Sequence, residues 1–206
     1  MPYSDFSLSD IKERFGISIE QIESLFPDLQ EMEASTLLTE VLRENIPLAL
    51  AIHTEKARSE LIIVPILVEL RKTLGHKISL FSGIDFTVDR EKGLTGVCDY
   101  IISLSKDQLL LSSPIISIVE AKNDNLKAGL AQCAAEMIAA RIFNENRGNK
   151  IKEIYGVVTT GSLWKFMKLK ASLYVDEKEY YLENLGKILG ILNKIVTDGL
   201  RGIGEM

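Results

Sequence analysis

The chain opens with short helical periods, passes into strand-like alternation after Gly75, and later returns twice to helical spacing. In the first stretch, SLSDIKERFG and SIEQIESLF each place a polar residue before an amphipathic turn, and Pro27 and Pro47 interrupt continuation. This predicts a small N-terminal helical extension over residues 1–50. A longer helix is expected over about residues 54–74, with Gly75 as its stop. Pro65 removes one backbone donor inside it and predicts a kink.

Three runs rich in Ile, Val, Phe and Tyr follow: KISLFSGIDFTVD, GVCDYIISLS and SPIISIVEAKN. They predict three strands, with REKGLTG as the turn between the first two. Residues 126–144 are Ala-rich and carry Leu126, Leu130, Cys133, Met137 and Phe143 at helical spacing. IYGVVTTG and LWKFMKLK read as two strands joined through Thr160, Gly161 and Ser162. SLYVD adds a further strand and LENLGKILGILNKIVTDGL a final helix. No repeat or interdomain linker interrupts this order. It predicts an α/β domain over residues 51–206, a central sheet flanked by helices.

Composition narrows the class. The 206 residues are 46% hydrophobic and 26% charged, which excludes a disordered chain or a disulfide scaffold and leaves an ordinary soluble domain. The strongly apolar residues 61–68 fall far short of the roughly 20 residues that cross a bilayer. The amino terminus lacks the basic start and apolar centre of a secretory signal, so the cytoplasm is expected. Cys98 and Cys133 lack metal-knuckle spacing and read as buried thiols. The net charge of −5 conceals a gradient. Residues 1–60 hold 5 Lys/Arg against 12 Asp/Glu, whereas residues 120–170 hold 9 against 5. The later segment could attract a polyanion locally, although the overall acidity opposes indiscriminate binding.

Strand alternation places Asp99 with Val97 and Ile101, and Cys98 with Tyr100 and Ile102 on the other face. An acid inside an apolar strand needs a cation, a hydrogen-bond partner or an edge position. Glu120 and Lys122, two residues apart, share one side of the next strand. If the two strands are neighbours, both carboxylates and the ammonium converge at one end of the sheet. Two hard carboxylates can hold Mg²⁺, and a nearby lysine can position an attacking water or offset developing phosphate charge. Such parts suit phosphodiester hydrolysis. The plain alternative is a structural ion pair on a strand end.

The order of a helix with Glu60, strands with Asp99 and Glu120-Ala121-Lys122, and a helix with Gln132 resembles the PD-(D/E)XK nuclease superfamily. The resemblance spans residues 54–165 and rests on SELIIVPILVEL, GVCDYIIS, IVEAKN and AGLAQCAAEM. It implies a restriction endonuclease-like fold, a mixed sheet between helices, and metal-dependent cleavage of nucleic acid, commonly DNA. Carried over, Asp99 and Glu120 are the metal-binding acids and Lys122 the catalytic lysine. Glu60 matches the acid of the first core helix, and Gln132 the polar residue of the helix after Glu-x-Lys. Cys98 stands where the motif's name has proline. Mg²⁺ is the implied cofactor, with Mn²⁺ as a substitute, and a homodimer fits double-strand cleavage. A noncatalytic nucleic-acid-binding or protein-interaction module on the same fold is the alternative.

Other residues carry less. Glu69 rivals Glu60 but adjoins Arg71 and Lys72, and Asp85 shares a polar face with Thr87 and Asp89. Thr159, Thr160, Ser162, Trp164, Lys165 and Lys168 could contact phosphate or a base, with a core role for Trp164 preferred. His53 and His76 form no close pair, and TTGS lacks the Gly-Lys-Ser/Thr ending of a P-loop.

Overall fold

The computed structural model describes residues 2–149 and 151–203. Helix α1 (Leu8–Phe15) opens on a capping box in which Ser7 and Asp10 bond reciprocally, and it ends on left-handed Gly16. Strand β1 (Ile19–Ile22), helix α2 (Thr36–Ile52) and the one-turn helix α3 (Glu55–Arg58) follow. A π-helical stretch (Ser59–Ile63) then leads into α4 (Val64–Thr73). Next come β2 (Ser79–Asp85), β3 (Val97–Ser103), β4 (Ile115–Ala121) and the long helix α5 (Leu126–Asn146). Strands β5 (Ile154–Thr159), β6 (Leu163–Leu169), β7 (Leu173–Asp176) and β8 (Tyr180–Tyr181) precede α6 (Leu185–Gly202).

The strands make one mixed sheet in the order β1-β7-β6-β5-β4-β3-β2, with β8 pairing β6. Strands β2, β3 and β4 run antiparallel in turn, and β4 pairs parallel with β5. A parallel pair needs a crossover, and α5 supplies it. The α/β class with a helix-flanked mixed sheet is therefore as the element order predicts. On one face Ile62, Ile63, Ile66 and Leu67 meet Trp164, Phe166 and the apolar side of α6. On the other, α1 and α5 pack over Ile101, Ile118 and Val158. No helix among the described residues is long and apolar enough to cross a membrane.

Two local readings change, and a third gains a detail. SIEQIESLF, expected as a helical turn, contains β1, which pairs parallel with β7 through Ile19 opposite Leu173 and Ile22 opposite Asp176. A four-residue segment has too little local preference to resist a sheet edge offering partners. Pro47 does not end a helix: it lies within α2, one turn before the helix closes at Ile52. The helix expected over residues 54–74 runs from Glu55 to Thr73 without leaving helical backbone, and a π-helical turn at Ser59–Ile63 lies within it, one residue ahead of Pro65. Proline has no N–H for the Leu61 carbonyl one turn earlier. The Asn45 side chain from α2 donates to that carbonyl instead, at 2.9 Å. The proline thus loosens the helix without leaving that acceptor unmet.

Candidate functional site at the carboxyl end of strand β4

The β3–β4 ladder pairs Tyr100 with Val119 and Ile101 with Ile118. Continuing that register sets Asp99 opposite Glu120. Beyond the ladder the Ala121 N–H bonds to the Asp99 carboxylate at 2.8 Å. The acid thus finds the hydrogen-bond partner that its place in an apolar strand demands. Strict alternation fails here, however. Cys98 packs with Ile101 on the α5 side, while Tyr100 and Ile102 belong to the opposite cluster. Gly83, across from Asp99 on β2 with φ +62°, marks the same distortion. A second irregularity, where Ile102 faces Ser117 but Ser103 faces Ile115, sets the phase of β4 so that Ile118 and Glu120 face α5.

Lys122 lies one residue past β4, where its N–H extends the β4–β5 ladder to the Thr159 carbonyl at 2.8 Å. Its ammonium donates to Glu120 Oε1 and, at 3.1 Å, to Gln132 Oε1 on α5. The Gln132 amide in turn donates to Glu136 Oε1 at 3.2 Å. The lysine stem passes close beneath α5 because residue 129 is glycine. A Cβ there would stand 2.6 Å from Val158 Cγ1 and 3.0 Å from Lys122 Cγ. Asp99, Glu120, Lys122 and Gln132, from two strands and a helix, thus come together as one polar cluster.

The cluster is dry. Glu120 and Glu136 are 1% and 0% exposed, and each leaves its Oε2 buried without a hydrogen-bond partner. Burial disfavours the charged form and is the largest influence raising the Glu120 pKa to about 8. The Asp99 charge raises it further, while the Lys122 ammonium opposes both. Glu136 is pushed well above the usual carboxylate range, first by burial and then by the Glu120 charge. At Lys122 burial favours the neutral amine, but the surrounding acids, Glu120 first, outweigh it and the pKa is raised.

Glu60 is not brought into this group. Its side chain is 61% exposed and pairs with Lys56 at 3.4 Å. The acid of this helical region whose charge reaches Glu120 and Lys122 is Glu55, in the first turn of α3. Glu69 serves the scaffold, where it is buried and accepts the Ser35 N–H at the start of α2 at 3.2 Å. Among the described residues, no group of three or more His, Cys, Asp or Glu side chains is placed to hold a metal ion.

The hydroxyl-rich turn after β5 is committed to the fold. Thr159 Oγ1 donates to the Leu163 carbonyl at 2.9 Å, and Ser162 Oγ accepts from the Arg58 guanidinium at 3.2 Å. Trp164 is fully buried, with its indole N–H on the Gly161 carbonyl at 2.9 Å. Cys98 and Cys133 are free buried thiols. A cavity lined by Ile116, Glu153, Tyr155 and Asp198 opens at the other end of β4 and β5, away from the cluster.

Two participants escape the sequence reading. Glu136 is legible in principle, since it is the lone charge between Cys133 and Ala140 and lies one turn after Gln132. Glu55 has no comparable signal beyond its place near Glu60. Comparison of the chain with family models, curated proteins and solved structures finds no match.

Proposed function

We propose that the chain is a metal-dependent phosphodiester hydrolase acting on nucleic acid, DNA in the first instance, with the PD-(D/E)XK arrangement on a restriction endonuclease-like sheet. The observation that carries this reading is the meeting of Asp99, Glu120 and Lys122 at the end of two paired strands, with Gln132 above them on α5. A surface ion pair needs none of that burial.

The donor set fits a hard divalent cation. Glu120 Oε2 is a buried oxygen without a partner, and Asp99 supplies the second carboxylate. Mg²⁺ is commonly held by one or two carboxylates and several waters, so a third protein acid is not required. Bound there, Mg²⁺ or Mn²⁺ supplies Lewis-acid polarisation of the phosphate and a water acidified for attack. Asp99, fixed by the Ala121 N–H, and Glu120 hold their oxygens at fixed positions before any ligand arrives. Lys122 presents an ammonium beside them, placed to orient water or offset charge on the phosphate. Gln132 holds that ammonium from the helix side. Departure of the proton from Glu120 accompanies cation binding, because ligating carboxylates must be ionised.

The test is cleavage of single-stranded, duplex and circular DNA, and of RNA, with Mg²⁺ or Mn²⁺, together with calorimetric binding of Mn²⁺. Asp99→Ala and Lys122→Ala should each lower turnover by about 100-fold or more. Mn²⁺ binding should disappear in Asp99→Ala and persist in Lys122→Ala. Equal trace activity in parent and variants would identify a contaminant and remove the hydrolase reading. Salt-sensitive DNA binding without turnover would leave a noncatalytic binding module on this sheet.

A further inference from the structure

The hydrogen-bond chain does not stop at Gln132. We propose that Glu136 is a positioning residue for this site: it fixes which way the Gln132 amide faces and so holds the Lys122 ammonium against Glu120. The catalytic meaning of this role rests on the hydrolase reading, but the geometry does not.

A glutamine amide has one acceptor end and one donor end, and a turn about its last torsion exchanges them. Lys122 can only donate, so it bonds to Gln132 only if the oxygen end faces it. Glu136 Oε1, 3.2 Å from Gln132 Nε2, accepts from the nitrogen end and so holds the amide in the orientation that the donor-only Lys122 requires at the oxygen end. Without an acceptor at residue 136 the amide could turn and set its NH₂ group against the ammonium. The four-residue spacing on α5 is what stacks the two side chains on one helix face. The bonds then read in one direction, with Lys122 donating both to Glu120 and to Gln132, and Gln132 donating to Glu136.

Glu136 is a poor choice for stability alone. It is wholly buried, and its second oxygen has no partner. Its neighbours on the helix, Ala135, Met137 and Ala140, show that the same layer accepts apolar side chains. The hydrogen bond that the acid makes there leads to Lys122. A residue serving only to fill the core would be replaceable by methionine with no consequence at the lysine.

The experiment compares Glu136→Gln, which retains an acceptor oxygen, with Glu136→Met, which removes it at similar length. Turnover on DNA, the ¹⁵N–¹H signals of the Gln132 side-chain amide and ¹³C relaxation at Lys122 Cε are read in the full chain. Glu136→Gln should stay within about threefold of parent turnover. Glu136→Met should lose about tenfold or more in kcat with KM within about twofold, while its melting temperature is not lowered. In the metal-free protein, one Gln132 amide proton should be downfield and slow to exchange in the parent and in Glu136→Gln. In Glu136→Met it should move to the position of a free amide as Lys122 Cε becomes more mobile. Unchanged kcat and unchanged amide signals in Glu136→Met would overturn the proposal. If the parent cleaves nothing, the hydrolase reading fails alone and the amide and relaxation signals decide this role. Should Glu136→Met not fold, a freely exchanging Gln132 amide in the parent would by itself overturn it.

Discussion

Two glutamate–lysine pairs on neighbouring strands of this sheet meet opposite fates. Glu153, just before β5, accepts from Lys170 and, at 2.8 Å, from the Tyr155 hydroxyl, with Lys168 at 3.9 Å. Its partial burial favours the neutral acid, but these donors together outweigh it and hold its pKa below the ordinary value. Glu120 has a single ammonium, a neighbouring Asp99 and almost no exposure, and its pKa rises to about 8. The same two residue types make a solvated ion pair at one end of the sheet and a reluctant carboxylate at the other. Desolvation and the count of donors decide between them.

The largest stability consequence is a pH slope. The Glu120 carboxyl has its folded pKa raised from 4.5 to about 8, so the folded state binds the extra proton between those values. Its contribution to stability is fully present below the unfolded pKa and is lost as pH rises through the folded one. Glu120→Gln, which keeps an acceptor for Lys122, should remove that slope. Thermal melts at matched ionic strength should show the parent losing on the order of 3 kcal/mol relative to Glu120→Gln between about pH 5 and pH 8. Parallel pH profiles for the two proteins would place Glu120 in water and break the contrast with Glu153.

A smaller effect tests how α5 closes over the lysine. Gly129→Ala improves helix propensity by up to about 1 kcal/mol, but its methyl meets Val158 at 2.6 Å and the Lys122 stem at 3.0 Å. Overpacking of this kind costs about 1–3 kcal/mol, so a net loss of about 1 kcal/mol is expected in denaturant unfolding. If the chain has the proposed hydrolase activity, turnover should fall as well, because the side chain that yields most easily is the lysine. A stable variant with full turnover would show that α5 has room to spare.

Much of this arrangement is readable from the chain. The three central strands and α5 are visible because each has a sustained period and a matching composition. Asp99 stands out because an acid in an apolar run needs a partner, and Glu120 and Lys122 because they share one side of a strand, whereas Gln132 enters only through the resemblance of the element order to a nuclease superfamily. The rest depends on partners that a sequence does not display. β1 is a strand because β7 is beside it, and the π-helical turn before Pro65 is tolerated because Asn45 comes from another helix. Glu60 and Glu55 occupy similar sequence surroundings, yet it is the Glu55 charge that reaches Glu120 while Glu60 pairs with Lys56 in solvent. Glu136 sits in plain view, yet an acid in an Ala-rich helix reads as its solvent face until the helix proves buried on nearly every side.

The smallest effect belongs to the other pair. Lys170 and Glu153 are 42% and 32% exposed in their side chains, and water screens what they gain. Lys170→Met should cost less than about 1 kcal/mol at neutral pH, and a double-mutant cycle with Glu153→Gln should return about 0.2–1 kcal/mol for the pair. Because the Glu153 pKa is lowered in the fold, that contribution is present at neutral pH and is lost as pH falls through the folded value, the reverse of Glu120. Added salt should shrink it, since exposed charges are screened beyond about 8 Å at physiological ionic strength, while the buried Glu120–Lys122 contact responds little. A coupling energy at Glu153 as large as the pH effect of Glu120, or insensitive to salt, would mean that burial is not what separates the two pairs. The reading of Glu120 as a carboxylate held back by burial at the end of β4 would then have no physical basis.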